Sequence, residues 1–240
     1  MAGFQTHISV STMLGFGYGA AGYWYFGFPP DTAMLGASLC GVAGMLPDLD
    51  SASGRPIRES LAFGAAVVPM LLIDRFQQMG LPPASMVLAG ALVYLSIRFG
   101  LAWFLKNYTV HRGMFHSIPA VAIVAVVGYL VTGCAELHVR YFHAGALAAG
   151  YMSHLVLDEI YSVDLKNVRI KSSFGTALKF WGHSLWGNVS VYAKLILLAA
   201  VAFGDPIWME QFQTGAQQTA ESSGERIQRT ASEVIERIWR

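Results

Sequence analysis

His111-Arg112-Gly113-Met114-Phe115-His116-Ser117 stands between two long apolar stretches, Pro83 to Leu105 before it and Ile118 to Ala135 after it. The two runs decide the fold. Each is of a length that reads as a membrane-spanning helix, and ionisable groups beside such runs are kept for a purpose, because no water is there to repay their desolvation.

Composition agrees: 54% of the residues are hydrophobic, 13% are charged, 25 are glycine, and the mean hydropathy is +0.45. A chain of this size cannot hide so much apolar surface in one soluble core, so an all-α, multi-pass bundle is predicted. A net charge of +1 excludes the global field of a strongly basic nucleic-acid binder. Cys40 and Cys134 lie within or at the end of apolar segments without CxxC spacing, which predicts core residues and neither a disulfide framework nor a thiolate metal site. Met1 to Thr6 lacks the basic residues of a secretory leader, so the N-terminus is expected to be retained.

Outward from the opening stretch, the pattern predicts about seven spans. They run over Ile8–Phe28, Thr32–Leu46, Ser60–Phe76, Pro83–Leu105, Ile118–Ala135, Tyr141–Leu157 and Val189–Phe203. Gly15, Gly17, Gly19 and Gly22 predict a closely packed first helix, since small residues let backbones approach in lipid. Residues 1–205 are read as the membrane domain and 206–240 as a polar tail, in which Ile227, Ala231, Val234 and Ile238 repeat at the spacing of a short amphipathic helix.

Polar residues cluster at particular span ends. His7 opens the first span, and Pro47 closes the second, where Asp48-Leu49-Asp50 follows in a turn able to aim two carboxylates at one cation. His154 and Asp158 are four residues apart, which stacks imidazole and carboxylate on one helical face. Taken singly, each has a bland alternative: a capping histidine, a solvated turn, an Asp–His hydrogen bond. Topology joins them, because spans one, two, four and six place His7, Asp48, Asp50, His111, His116, His154 and Asp158 at one face of the bundle. Unrelated residues have no reason to be co-facial, so a metal site is predicted. Imidazoles and carboxylates without thiolates suit zinc, with manganese or iron also accepted, in one ion or more. Arg112, fork-shaped and permanently charged, is the candidate for binding a phosphate or the charge of a transition state, or else for orienting Asp48 or Asp50. The same face collects Arg55, Arg58, Lys106, Lys166, Arg169, Lys171 and Lys179, against mainly Arg75 and Arg140 opposite. The positive-inside rule makes it cytoplasmic.

Thr6-His7, Leu46-Pro47-Asp48-Leu49-Asp50, His111-Arg112-Gly113 with His116-Ser117, and Gly150-Tyr151-Met152-Ser153-His154 with Asp158 resemble, in order and spacing, the YdjM-like family of membrane-bound metal-dependent hydrolases. That family is distantly similar to the all-helical zinc-dependent phospholipase C and nuclease P1 group. The resemblance implies a hydrolase of phosphate esters at the bacterial inner membrane, with a lipid headgroup or a soluble phosphate as substrate and membrane lipid as its surroundings. The chain departs from the wider group in having Ser51 after Asp50 and no second His-x-x-x-Glu pair. A metal-ion transporter or a non-catalytic metal-binding membrane protein is the alternative; a transporter would string its polar groups through the membrane, not gather them at one face.

Overall fold

The computed structural model describes residues 3–50, 55–104, 114–164, 169–170, 175–210, 212–214 and 226. Among these residues the chain is all-α apart from one antiparallel pair of two-residue strands, β1 (Val163–Asp164) and β2 (Arg169–Ile170), with Val163 opposite Ile170. The helices in order are α1 (Phe4–Trp24), α2 (Pro30–Ala43), α3 (Arg55–Leu71), α4 (Ile73–Gln78), α5 (Pro83–Leu95), α6 (Ile118–Val131), α7 (Leu137–Ser162) and α8 (Leu185–Phe203). A 3₁₀ turn, Leu46–Asp50, follows α2, and a π turn, Ser96–Leu101, extends α5.

Two helical stretches among the described residues are long and apolar enough in themselves to cross a bilayer, Pro83–Phe104 and Leu185–Phe203, where about seven spans are predicted. The reasons differ among the rest. Helices α2 and α6 have 14 residues each, about 21 Å of rise against a hydrocarbon core of about 30 Å. Helices α1 and α7 are longer, at 21 and 26 residues, but buried polar residues such as Ser11, Arg140 and His154 dilute their apolar runs.

Several boundaries also move. The predicted third span breaks after Leu71, whose carbonyl accepts from the Gly133 N–H at 3.0 Å, and the chain restarts as α4. The predicted fifth span stops at Val131, not Ala135: Thr132 is extended, its hydroxyl donates to the Gly128 carbonyl, and the Arg140 guanidinium takes the carbonyls of Gly133 and Cys134. Fully buried Arg140 is thereby satisfied, as a charge in this position must be.

The core is the packing of α1, α2, α6 and α7. Glycine decides its closest approaches. A Cβ on Gly150 of α7 would strike the Cys40 carbonyl of α2, and one on Gly15 of α1 would strike the Ala37 carbonyl, so only glycine lets these backbones touch. Gly19 and Gly22 are equally confined, whereas Gly17 faces open space. By contacts the chain divides into two compact units, Met1–Ala199 and Ala200–Arg240, where composition predicts a break after residue 205. Within the second, Trp208 stacks on Phe212 with ring centroids 5.1 Å apart; the predicted amphipathic helix lies outside the described residues except for Arg226.

Candidate metal centre

Four chain segments deliver side chains to one end of the α1–α2–α6–α7 core. His7 projects from the first turn of α1. Asp48 sits in the 3₁₀ turn after α2, beside fully buried Pro47. His116 lies just before α6, and His154 and Asp158 occupy the last turns of α7. The end-to-end convergence predicted from span order is therefore present for these five residues. His111 and Arg112, and the side chain of Asp50, lie outside the described residues.

Distances show what the cluster can do. His7 Nε2 is 3.3 Å from Asp158 Oδ1. The other carboxylate oxygen, Oδ2, is 3.6 Å from His154 Nε2 and 3.7 Å from His116 Nε2. Asp48 Oδ1 stands 3.7 Å from His154 Nε2 and 3.8 Å from His116 Nε2. Most of these separations are too long for hydrogen bonds. Ligands about 2.1 Å from one ion in a tetrahedral array stand about 3.4 Å apart, which is this spacing. His7, His154 and Asp158 form one triad, and Asp48, His116 and His154 a second, each with its ligand atoms within 4.8 Å of one another.

Burial makes the arrangement expensive without an ion. His7, His116, His154 and Asp158 have side chains no more than 4% exposed. His7 Nδ1, His154 Nε2 and both Asp158 oxygens find no hydrogen-bond partner among the described residues, and such buried orphans cost on the order of 1–3 kcal/mol apiece. Burial alone would raise the Asp158 carboxyl, which lies one residue past the predicted span. The close approach of the His154 and His7 imidazoles outweighs it and holds Asp158 below the usual carboxylate range, so it is anionic at neutral pH. Asp48 is 24% exposed, so water and solutes reach the cluster past it.

Local structure fixes His154 and His116 in the cluster. The Gly44 carbonyl, just past the end of α2, lies 2.7 Å from His154 Nδ1. A carbonyl can only accept, so Nδ1 carries the proton and the Nε2 lone pair faces the cluster. The neighbouring Gly41 carbonyl accepts from the Ser11 hydroxyl at 2.7 Å. Carbonyls that the end of α2 leaves unpaired are thus used to hold α1 and α7. Gly150 and His154 on α7 meet Cys40 and Gly44 on α2, one turn on in each helix. The glycine contact sets the depth at which the histidine arrives.

The His116 turn is held at three points. Ser117 caps α6, accepting from Ala120 N and donating to the Met114 carbonyl; Tyr151 Oη donates to the Phe115 carbonyl at 2.6 Å; and Ile118 N donates to the Lys179 carbonyl at 3.0 Å. Glu159, next to Asp158, accepts from the backbone of Gly175, Ala177 and Leu178 and so ties down the segment that carries Lys179. Ser117 with Pro119 is a readable helix-start signal, but Gly44 and Glu159 act through contacts with backbone atoms that no motif marks.

A family model described as YdjM inner membrane protein matches residues 1–207, which takes in all five clustered residues. The chain belongs to the YdjM inner membrane protein family. Membership accounts for the exposed apolar girdle that water would not tolerate: Phe16, Trp24, Met34, Phe99 and Leu197 are all more than 60% exposed. In a YdjM-family protein of the inner membrane these side chains meet lipid. No curated protein and no solved structure matches the chain.

Proposed function

We propose that the chain is a membrane-bound, metal-dependent hydrolase that cleaves a phosphate ester, of a lipid headgroup or a soluble phosphate, at the cytoplasmic face of the bacterial inner membrane. The observation that carries this reading is the convergence of three imidazoles and two carboxylates at one end of a lipid-facing bundle, with His7 Nδ1, His154 Nε2 and both Asp158 oxygens buried and without a hydrogen-bond partner among the described residues. Their chemistry fits a divalent ion of the zinc class, with manganese or iron as alternatives. His116, His154, Asp48 and Asp158 Oδ2 would hold it, and Asp158 Oδ1 with His7 would serve a second.

Such an ion would supply Lewis acidity towards water and the phosphate oxygens. The chain's own residues do the rest. Gly44 fixes the His154 tautomer, Asp158 stays ionised, and Asp48 sits where solvent enters. Arg112, two residues before Met114, supplies the permanent charge to clamp the phosphate. In the overall reaction the oxygen of water bonds to phosphorus, the ester P–O bond breaks, and a proton passes from water to the leaving oxygen. The excess of Lys and Arg on this face supports its cytoplasmic orientation, and the lipid-facing exposure of α1 and α2 supports seven spans, with the short helices tilted or locally thinning the bilayer.

Metal analysis of the purified full chain, beside a screen on phosphodiesters, phosphomonoesters and phospholipids, tests this. Turnover that is lost on chelation and restored by metal is expected. Arg112→Lys should then cost about 1–3 kcal/mol of transition-state stabilisation with metal content unchanged. Metal-loaded protein inert towards every such ester would overturn the assignment.

A further inference from the structure

A groove of about 580 Å³ runs between α1 and α2, and nothing in the metal chemistry requires it. One end lies at Ile8 and Thr12 of α1 and Gly41 of α2, within a turn of His7 and of the Gly44 carbonyl that holds His154. From there it passes Phe16 and Ala20 to Tyr23. Ile8 to Tyr23 is about 22 Å of helix, against the roughly 15 Å that one leaflet contributes to the hydrocarbon core. The walls are almost wholly apolar, and the end away from the site lies at Tyr23, the first of four exposed aromatic residues, Tyr23 to Phe26, of the kind that marks a membrane interface.

We infer that this groove seats one acyl chain of a bilayer phospholipid whose phosphate ester lies at the His/Asp cluster. Three features select that occupant. The groove is apolar along its length, its inner end abuts a site of cation-ligating chemistry, and the span order read from the sequence assigns to that end the Lys and Arg excess that complements an anionic headgroup. A soluble phosphate would use the cluster and leave the groove idle. Lipid tails already lie in hydrocarbon, so the groove gains little from the hydrophobic effect. It acts by packing and orientation, holding the headgroup in register with the site. The inference rests on the proposed phosphoesterase for its inner end, and its test is separable from that activity.

The full chain is reconstituted in vesicles of phosphatidylethanolamine and phosphatidylglycerol doped with phosphatidylglycerol bearing a diazirine on one acyl chain, and the labelled peptides are mapped after photolysis in chelator. Helix α8 supplies the baseline, because Ile196 and Leu197 are nearly as exposed as Phe16 and Met34 but lie outside this groove. Labelling of Ile8 to Tyr23 on the order of three- to tenfold above α8 is expected, since a packed chain dwells where a bulk lipid exchanges. Ala20→Trp, and independently Ser38→Trp, should return it to the α8 level, both positions lining the groove. Equal labelling of α1 and α8 in the wild type overturns the inference, even if the protein hydrolyses water-soluble p-nitrophenyl phosphate. Preferential groove labelling that either Trp variant abolishes sustains it, even if no ester is turned over and the hydrolase reading falls.

Discussion

His7 and His154 lie face to face, their ring centroids 3.6 Å apart and their planes 11° from parallel. The stack brings both rings to one carboxylate, Asp158, and neutral imidazole is the form that binds metal. His154 is the shared member of both ligand triads, whereas His7 belongs to one. His154→Ala should therefore reduce bound divalent metal to background, and His7→Ala should leave the Asp48–His116–His154 set and part of the metal. Elemental analysis reads the difference, with circular dichroism confirming that the bundle persists. Full metal content in His154→Ala would remove the basis of the site.

Close packing at Gly150 is a second point of test. A methyl group there meets the Cys40 carbonyl, which is backbone and cannot swing aside, so Gly150→Ala must separate α7 from α2. Overpacking of this kind costs about 1–3 kcal/mol. Gly17→Ala, at a glycine with nothing within 4 Å, is the control. Thermal unfolding in detergent should drop for the first variant and not for the second. Metal affinity should fall with Gly150→Ala as well, because the displaced helix carries His154.

Residues whose chemistry is in their side chains were legible in the sequence. His154 with Asp158 followed from helical period, and the co-facial arrangement of His7, Asp48 and His116 from counting spans. What escaped was carried by the backbone. The Gly44 carbonyl that fixes His154 has no residue-specific signature, and Glu159 reads as one more charge at a helix end although it holds three backbone N–H groups. Helix ends escaped for a similar reason. Thr132 to Cys134 continues the composition of an apolar run, and the helix stops where residues remote in sequence take its backbone groups: Leu71 accepts from Gly133 N, and Gln78 and Arg140 donate to the carbonyls of Gly133 and Cys134. The number of spans is least legible, because the helices that carry the His/Asp cluster trade apolar residues for polar ones.

Orientation in the membrane can be read with the chain's own thiol. Cys134 follows α6 at the end opposite His116 and is partly exposed, whereas Cys40 is buried. With the cluster at the cytoplasmic face, a membrane-impermeant maleimide should label Cys134 in cells with a permeabilised outer membrane. A Ser53→Cys, Cys134→Ser variant should resist until the inner membrane is opened. Burial pushes the Cys134 thiol up, so its labelling should quicken as pH rises beyond neutrality. Ready labelling at position 53 from outside would invert the topology.

Glu159 should act as a strap. Its carboxylate accepts from Gly175 N and Ala177 N at 2.8 Å and from Leu178 N at 3.2 Å. Glu159→Ala leaves these donors to solvent, and amide exchange over residues 175–178 should quicken by about tenfold or more, the equivalent of one charge-assisted hydrogen bond. Glu159→Gln, which keeps an acceptor oxygen, should give an intermediate rate. Unchanged exchange in the alanine variant would show that the segment is held by other contacts.

Tyr151 separates stability from site geometry. Its ring is 1% exposed, packed with Leu155 and Val121 in the core, while its hydroxyl donates to the Phe115 carbonyl, the residue before His116. Tyr151→Phe keeps the ring and deletes the bond. The fold should lose only about 0.5–1.5 kcal/mol. The loss at the site should be larger in proportion, because the groups that orient a metal ligand are worth about 10- to 100-fold in affinity. Zinc titration against a competing chelator measures that term, and thermal unfolding of the metal-free protein measures the first. A variant that melts lower yet binds zinc as the wild type does would assign the placement of His116 to the Ser117 cap and the Ile118–Lys179 bond, and Tyr151 to the core alone.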